Sequence, residues 1–204
     1  MNSFKGRRDI FRSPYKLPNS ESLDLVGYET VFERSDFFLY YQNSLVITVV
    51  SLFLILLLGA MVAHAISEYS FPGNTFILIF FLLGIIIPIR LGSVSLLRLI
   101  VGLDLVDTLL ALILVYTAQG LPLSVFILSQ FMRQVPGEIK DSARIDGANE
   151  YRIFTLVIPL IRPAMATVAI MTMIPIWNDL WFPLILTSSP KMYTVTVGAQ
   201  QFMG

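Results

Sequence analysis

Side chains able to carry out covalent or acid–base chemistry are sparse in this sequence. It contains no cysteine and one histidine, His64, which removes thiol catalysis, disulfides, Cys-based metal sites and the H-E-x-x-H zinc pattern. No G-x-x-x-x-G-K-[ST] run occurs, and no glycine is followed by lysine, so the chain has no phosphate loop through which to bind ATP. Its apolar stretches hold no paired carboxylates from which a general acid–base set could be assembled. Two polar groupings remain. Trp177-Asn178-Asp179 sits inside an otherwise apolar stretch, and Pro136 to Ala148 packs charges and small residues into thirteen positions.

The elements that position these groups follow from the solvent they imply. Of 204 residues, 55% are hydrophobic and 14% charged, and the mean hydropathy is +0.74. A soluble domain carries about 25% charged residues, so the medium is lipid. The net charge is zero, which argues against nucleic acid as a partner. No Asp, Glu, Lys or Arg occurs in 37–67, 69–89 or 108–132, and 163–186 is interrupted only by Asp179. A bilayer core about 30 Å thick takes ~20 apolar helical residues, and each window supplies them. The reading is an all-α polytopic membrane bundle of four spans, near 43–66, 75–97, 108–132 and 164–186. Pro88, Arg90 and Gly92 interrupt the second, which could end near Arg90. Met1 to Gln42 reads as a polar segment on a membrane surface, irregular with short helical pieces, and its start is no secretory signal. Asp107 is placed to cap the third span. Gly120 and Pro122 suggest a kink in it. Thr187 to Gly204 returns to polar, β-tolerant sequence.

The run from Pro136 is a self-terminating helix. Proline is tolerated at the first helical position, Glu138 and Asp141 suit the early turns and Arg144 the last one. Gly147 stands where a left-handed residue ends a helix, so a positive φ is expected there. Ile139 and Ala143 share a small apolar face with Ser142 beside it, suited to docking in another protein's groove. A second helix from Ala148 would anchor through Tyr151, Phe154 and Ile158, with Pro159 and Pro163 at its junction to the last span. The same pattern also fits an interfacial hairpin without a partner. Among the polar residues of the spans, His64 reads as satisfied or interfacial. Asn43, with Ser44 and Thr48, sits at the outer end of the first span as a cap or a path residue. Trp177, Asn178 and Asp179 suit either an interface anchor or contact with the apolar face and hydroxyls of a sugar.

Residues 138–148, Glu-Ile-Lys-Asp-Ser-Ala-Arg-Ile-Asp-Gly-Ala, with Phe154, Pro159 and Pro163, resemble the EAA loop of ABC importer permeases; Asp141-Ser142-Ala143 stands where Glu-Ala-Ala is usual. Asn43-Ser44, Phe71-Pro72-Gly73, Gly102-Leu103, Thr108, Gly120-Leu121-Pro122, Trp177-Asn178-Asp179, Pro183-Leu184 and Thr194 to Gly198 are similar to the carbohydrate branch, the maltose-permease-like family. The resemblance implies a MetI-like permease fold, with a span before Ser3-Phe4-Lys5 and another after Gly204 that this chain lacks. The core would run from 43 to 186, with 187–204 leading toward the last span.

It further implies a multi-pass subunit of the bacterial inner membrane that imports sugar. Lys and Arg counted near span ends favour a cytoplasmic 133–162 loop by five to four, and Lys5 to Lys16 add five to the other side. Charge alone therefore leaves orientation open, and the resemblance places that loop in the cytoplasm with Glu21 and Lys191 outside. Its partners would be a dimer of ATP-binding subunits, a second permease subunit and an extracytoplasmic solute-binding protein. The chain itself would bind no cofactor, ATP and Mg²⁺ being used by the ATPase. The coupling residues would be Glu138, Asp141, Ser142, Ala143, Asp146, Gly147 and Ala148, and the substrate path Asn43, Trp177, Asn178 and Asp179. The rival reading is a secondary active transporter driven through Asp179 or His64, which would need broken helices or coupling carboxylates near the midplane.

Overall fold

The computed structural model describes residues 2–13, 15–17, 19, 23–28 and 36–201; Glu21, Arg34 and the last three residues lie outside them. Among the described residues no strand forms, apart from an isolated bridge between Lys5 and Leu23. A short 3-10 turn, Asn2–Phe4, and helix α1, Arg7–Arg12, open the chain, and the Phe4 ring stacks on Tyr28 at 5.3 Å.

Two helices are long and apolar enough to cross a membrane unbroken: α2, Phe37–Glu68, and α5, Leu109–Arg133. At 1.5 Å per residue α2 is about 48 Å long, so it starts earlier than its uncharged centre suggested and overruns the hydrocarbon layer. The two pack closely because small residues face each other. Gly59 lies directly over Ser124 and Gly120 over Ile55. The Ser124 hydroxyl donates to the Ile55 carbonyl at 3.1 Å, and Ser51 donates to Ile113 at 3.4 Å. Lipid gives apolar helices no hydrophobic reason to associate, so close backbone approach and such hydrogen bonds must do it. Gly120 is thus a contact point, and α5 continues as helix through Pro122.

The other two spans are bent. Helix α3, Asn74–Ile86, stops before Pro88, whose ring disfavours helix in the preceding residue. A 3-10 turn, Ile89–Gly92, follows, then α4, Ser93–Gly102, and the axis turns by 86°. The expected single helix over 75–97 is therefore two. Likewise α8, Arg162–Asn178, ends at Asp179, and the short α9, Trp181–Leu186, completes what was read as one helix to 186. Asp107 does not cap α5. Thr108 does, accepting from Ala111 N–H at 3.2 Å, while Asp107 accepts from Ser188 and Ser189 N–H at 2.9 Å each. A hydrogen bond from the Ser189 side chain, followed by these backbone bonds, holds its carboxyl below the usual range.

Ile47, Ile55, Leu112, Leu128, Val168 and Leu186 centre the buried core. Phe53, Phe76, Phe80 and Ile86 point outward, as expected where the surroundings are lipid. The tail is helical as well: α10, Val195–Gln201, lies against the start of α2, with Gly198 under the Tyr40 ring.

Between α5 and α8 stands a hairpin of α6, Gly137–Ile145, and α7, Glu150–Leu160. Pro136 is the N-cap of α6 rather than its first residue. Gly147 has φ +80°, its N–H donates to Arg144 and that of Ala148 to Ala143, the paired bonds of a Schellman stop. Asn149 then caps α7 through Arg152 N–H at 2.9 Å, which is why α7 starts at Glu150 and not at Ala148. Its anchoring face is Ile153, Val157 and Ile161 with Phe154 and Ile158 alongside; Tyr151, expected among the anchors, faces out at 76% exposure. Because an L side chain resists the left-handed region by about 1–2 kcal/mol, Gly147→Val is expected to loosen the hairpin without disturbing the spans. Limited proteolysis should then cut faster within 145–150 than in the unsubstituted chain, and unchanged cutting would contradict this.

Candidate coupling hairpin and translocation cavity

The polar residues gather at two places, one at each end of the bundle. At the hairpin, Glu68 closes α2 with a side chain only 9% exposed. One carboxylate oxygen accepts from Lys140, the other from Arg144. Arg144 also reaches Asp141 at 3.1 Å and Glu150 at 3.3 Å. Tyr69 donates to Glu150 at 2.6 Å, and that bond, ahead of burial, pushes its phenol up to about 12. The carboxylates of Glu68 and Glu150 raise the Arg144 guanidinium further still, so it stays charged at every working pH.

With Lys140 drawn inward and Arg144 bound to Glu68, the residues turned outward are mainly acidic or apolar. Glu138, Asp141, Ser142 and Asp146 are exposed, as are Ile139 and Ile145, the latter at 86%. Ala143 and Ala148 are instead half-buried against the core, so the expected outward Ile139–Ala143 face is not the one presented. The most exposed apolar residue of α6 is Ile145, with Ile139 less so. Sequence reading passed over both Ile145 and Glu68. The available signal was the i, i+4 pair of cations on α6, which must find an acid on some other element.

At the opposite end, Asp179 occupies the gap between α8 and α9. Its side chain is 8% exposed and accepts from Tyr116 O–H at 2.9 Å, Phe182 N–H at 3.1 Å, and Arg90 and Trp181 N–H at 3.4 Å each. Four donors on two oxygens leave an intramembrane carboxylate without an open valence, which makes it affordable in apolar surroundings. Beside it lies a cavity of about 190 Å³, lined among others by Arg90, Tyr116, Gln119, Thr172 and Asp179. The Arg90 side chain is 68% exposed, and Gln119 is exposed as well.

The four residues expected on the path are not brought together. Asp179 alone of them lines this cavity. Asn43 lies inside α2, 6% exposed, and donates to the Lys191 and Tyr193 carbonyls at 2.9 Å each, so it neither caps the helix nor opens to a path. Trp177 is half-buried edge-on to Tyr41 at 5.7 Å. Asn178 bonds back to Ile174 within its own helix at 2.9 Å. The cavity-lining residues that sequence reading missed, Arg90, Tyr116 and Gln119, come from two other elements; Tyr116 and Gln119 share a face of α5 at i, i+3. His64, expected to be satisfied or interfacial, is buried with its Nε2 unpaired, edge-on to Phe154 at 5.3 Å and Tyr69 at 6.1 Å. Among the described residues no three His, Asp or Glu side chains converge to hold a metal ion.

Comparison with known proteins agrees with this geometry. The chain is 34% identical over 199 residues to the permease protein of a diacetylchitobiose uptake system of Streptomyces coelicolor, covering 97% of this chain and 65% of that one. It is 33% identical to the permease protein of an arabinooligosaccharide transport system of Halalkalibacterium halodurans, with 96% and 71% covered. A bacterial ABC transporter involved in the import of alginate, an acidic polysaccharide, shares the fold at a TM-score of 0.78 and 20% identity, over 88% of this chain and 63% of that one. The chain thus spans about two thirds of the length of the relatives it matches. Residues 37–203 match the family model of binding-protein-dependent transport system inner membrane components. A broken-helix bundle with a capped surface hairpin, and a match that takes in every long helix, lead to one conclusion: the chain belongs to that family of inner-membrane permeases.

Proposed function

We propose that this chain is a permease subunit of an ATP-driven importer of sugars, docking a separate ATPase through the 137–158 hairpin and lining part of the solute path. The observation that carries the docking role is Ile145, a large apolar side chain 86% exposed at the tip of a capped helix, ringed by Glu138, Asp141 and Asp146. Such a face fits a groove with an apolar floor and a basic rim. Ser142 adds a small polar contact, while Ala143, Gly147 and Ala148 shape the hairpin from within. ATP and Mg²⁺ belong to the ATPase; the remaining partners are a second permease and an extracytoplasmic solute-binding protein. The hairpin faces the cytoplasm. Family membership leaves the ion-driven secondary transporter without support.

The cavity beside Asp179 is the candidate path. Arg90, Tyr116 and Gln119 offer donors and acceptors for hydroxyl groups, and Phe182 adds an apolar wall. Sugar as the substrate class is supported by what the relatives named above transport.

Two substitutions test these roles. Ile145→Asp alters an exposed side chain, so the chain should still insert and fold. The ATPase should be lost on purification, by about 2 kcal/mol or roughly thirtyfold in affinity if Ile145 is an interface anchor; normal retention with normal transport would remove the docking role. Gln119→Leu deletes a hydrogen-bonding group that faces the cavity. It is expected to raise the apparent KM for uptake by roughly two- to tenfold, the weight of one hydrogen bond, with ATPase retention unchanged. An unaltered KM would take Gln119 off the path.

A further inference from the structure

The hairpin is covalently continuous with α5 and α8, yet its cations are committed to α2. Lys140 and Arg144 project from one face of α6 because they lie four residues apart, and Glu68, 72 and 76 positions away, takes one on each carboxylate oxygen. The junction is enclosed: the side chains of Glu68 and Lys140 are 9% and 13% exposed. Arg144 carries the network on to Glu150 at the start of α7, and Tyr69, the residue after α2, holds Glu150 from the other side. Beneath the ions, the His64 ring of α2 rests edge-on to Phe154 of α7. Both helices of the hairpin are thereby fastened to the C-terminal end of α2, while their chain connections to α5 and α8 are short non-helical breaks at 134–136 and 161.

We propose that Glu68 is a positioning residue for energy coupling: by holding Lys140 and Arg144 it makes the hairpin and the end of α2 one rigid body. A displacement imposed on α6 then reaches α2 without passing through the non-helical breaks. From α2 it passes, through the close Gly59–Ser124 and Ile55–Gly120 contacts, to α5, which carries Tyr116 and Gln119 into the cavity. Coupling between distant sites requires such a contiguous element with little slack. The inference rests on the hairpin being the ATPase-docking element.

The test uses the assembled transporter in its native membrane. Glu68→Gln keeps the side-chain shape, removes the charge and leaves the Ile145 face untouched. The ATPase should co-purify at the normal yield, while solute taken up per ATP hydrolysed falls on the order of tenfold, within the range seen for residues along coupling routes. Glu68→Lys should lower the ratio at least as far, and combining it with Lys140→Glu should restore most of it. A merely structural glutamate would lower both quantities together and would not be rescued by reversal. A normal ratio in Glu68→Gln, a parallel loss of yield and ratio, or no recovery in the reversed pair overturns the proposal. Ile145→Asp run alongside separates the two readings. Loss of ATPase there with an unaffected Glu68→Gln overturns the clamp alone, whereas retained ATPase and transport in Ile145→Asp overturns the docking role and the clamp with it.

Discussion

One carboxylate at the end of an apolar helix sets the arrangement of this chain's polar surface. Glu68 closes α2, and both of its oxygens are occupied by cations of the hairpin. An ion pair so enclosed is not a source of net stability: desolvating the charges offsets much of their attraction, but removing one partner costs roughly 3–5 kcal/mol. The consequence is specificity of placement. The hairpin is seated on α2 through these cations, Lys140 enclosed and Arg144 partly open. What remains outside is mainly acidic, with Ile139 and Ile145 exposed, so the chemistry of the outward face is set in part by an interaction on the side turned to α2.

The same logic, with one cation and three neutral donors, governs the other end. Asp179 would be costly among the spans were it not saturated by Tyr116, Arg90 and two backbone N–H groups. In return it holds the break between α8 and α9 open and fastens three elements around a cavity. Between the two ends lies the α2–α5 contact, where Gly59 and Gly120 allow backbones to approach. A stiff unbroken pair thus joins a hairpin at one end to a polar break at the other. Broken helices supply the sites and unbroken ones the connection between them.

Much of this was legible in the sequence, for physical reasons that also mark the limits. Uncharged windows located all four apolar segments because lipid penalises charge wherever it occurs. Local chemistry gave the stop of α6 at Gly147, since a left-handed residue followed by a capped helix is encoded within a few positions. Failures came where the deciding partner is distant. Asp107 has the composition of a cap, yet the N–H groups of 188 and 189 reach it first, and Thr108 takes the cap. Asn43 looked terminal because the span was placed at 43–66, but the helix already begins at Phe37 and the amide is used by the Lys191 and Tyr193 carbonyls. Ala143 and Tyr151 were assigned to the wrong faces for a related reason: periodicity reports that a helix has two faces, and only the seat on α2 says which is turned inward.

The central claim, that the hairpin and the end of α2 move together, is accessible to a distance measurement, and a chain without cysteine is well suited to it. Spin labels would be placed at exposed positions through Met61→Cys on α2 and Arg152→Cys on α7, in the assembled transporter. The distance distribution would be recorded with no nucleotide and again with ATP trapped. A narrow distribution that does not shift between the two states is the predicted result. A shift or broadening on ATP binding would mean that the hairpin moves relative to α2, and would contradict the account.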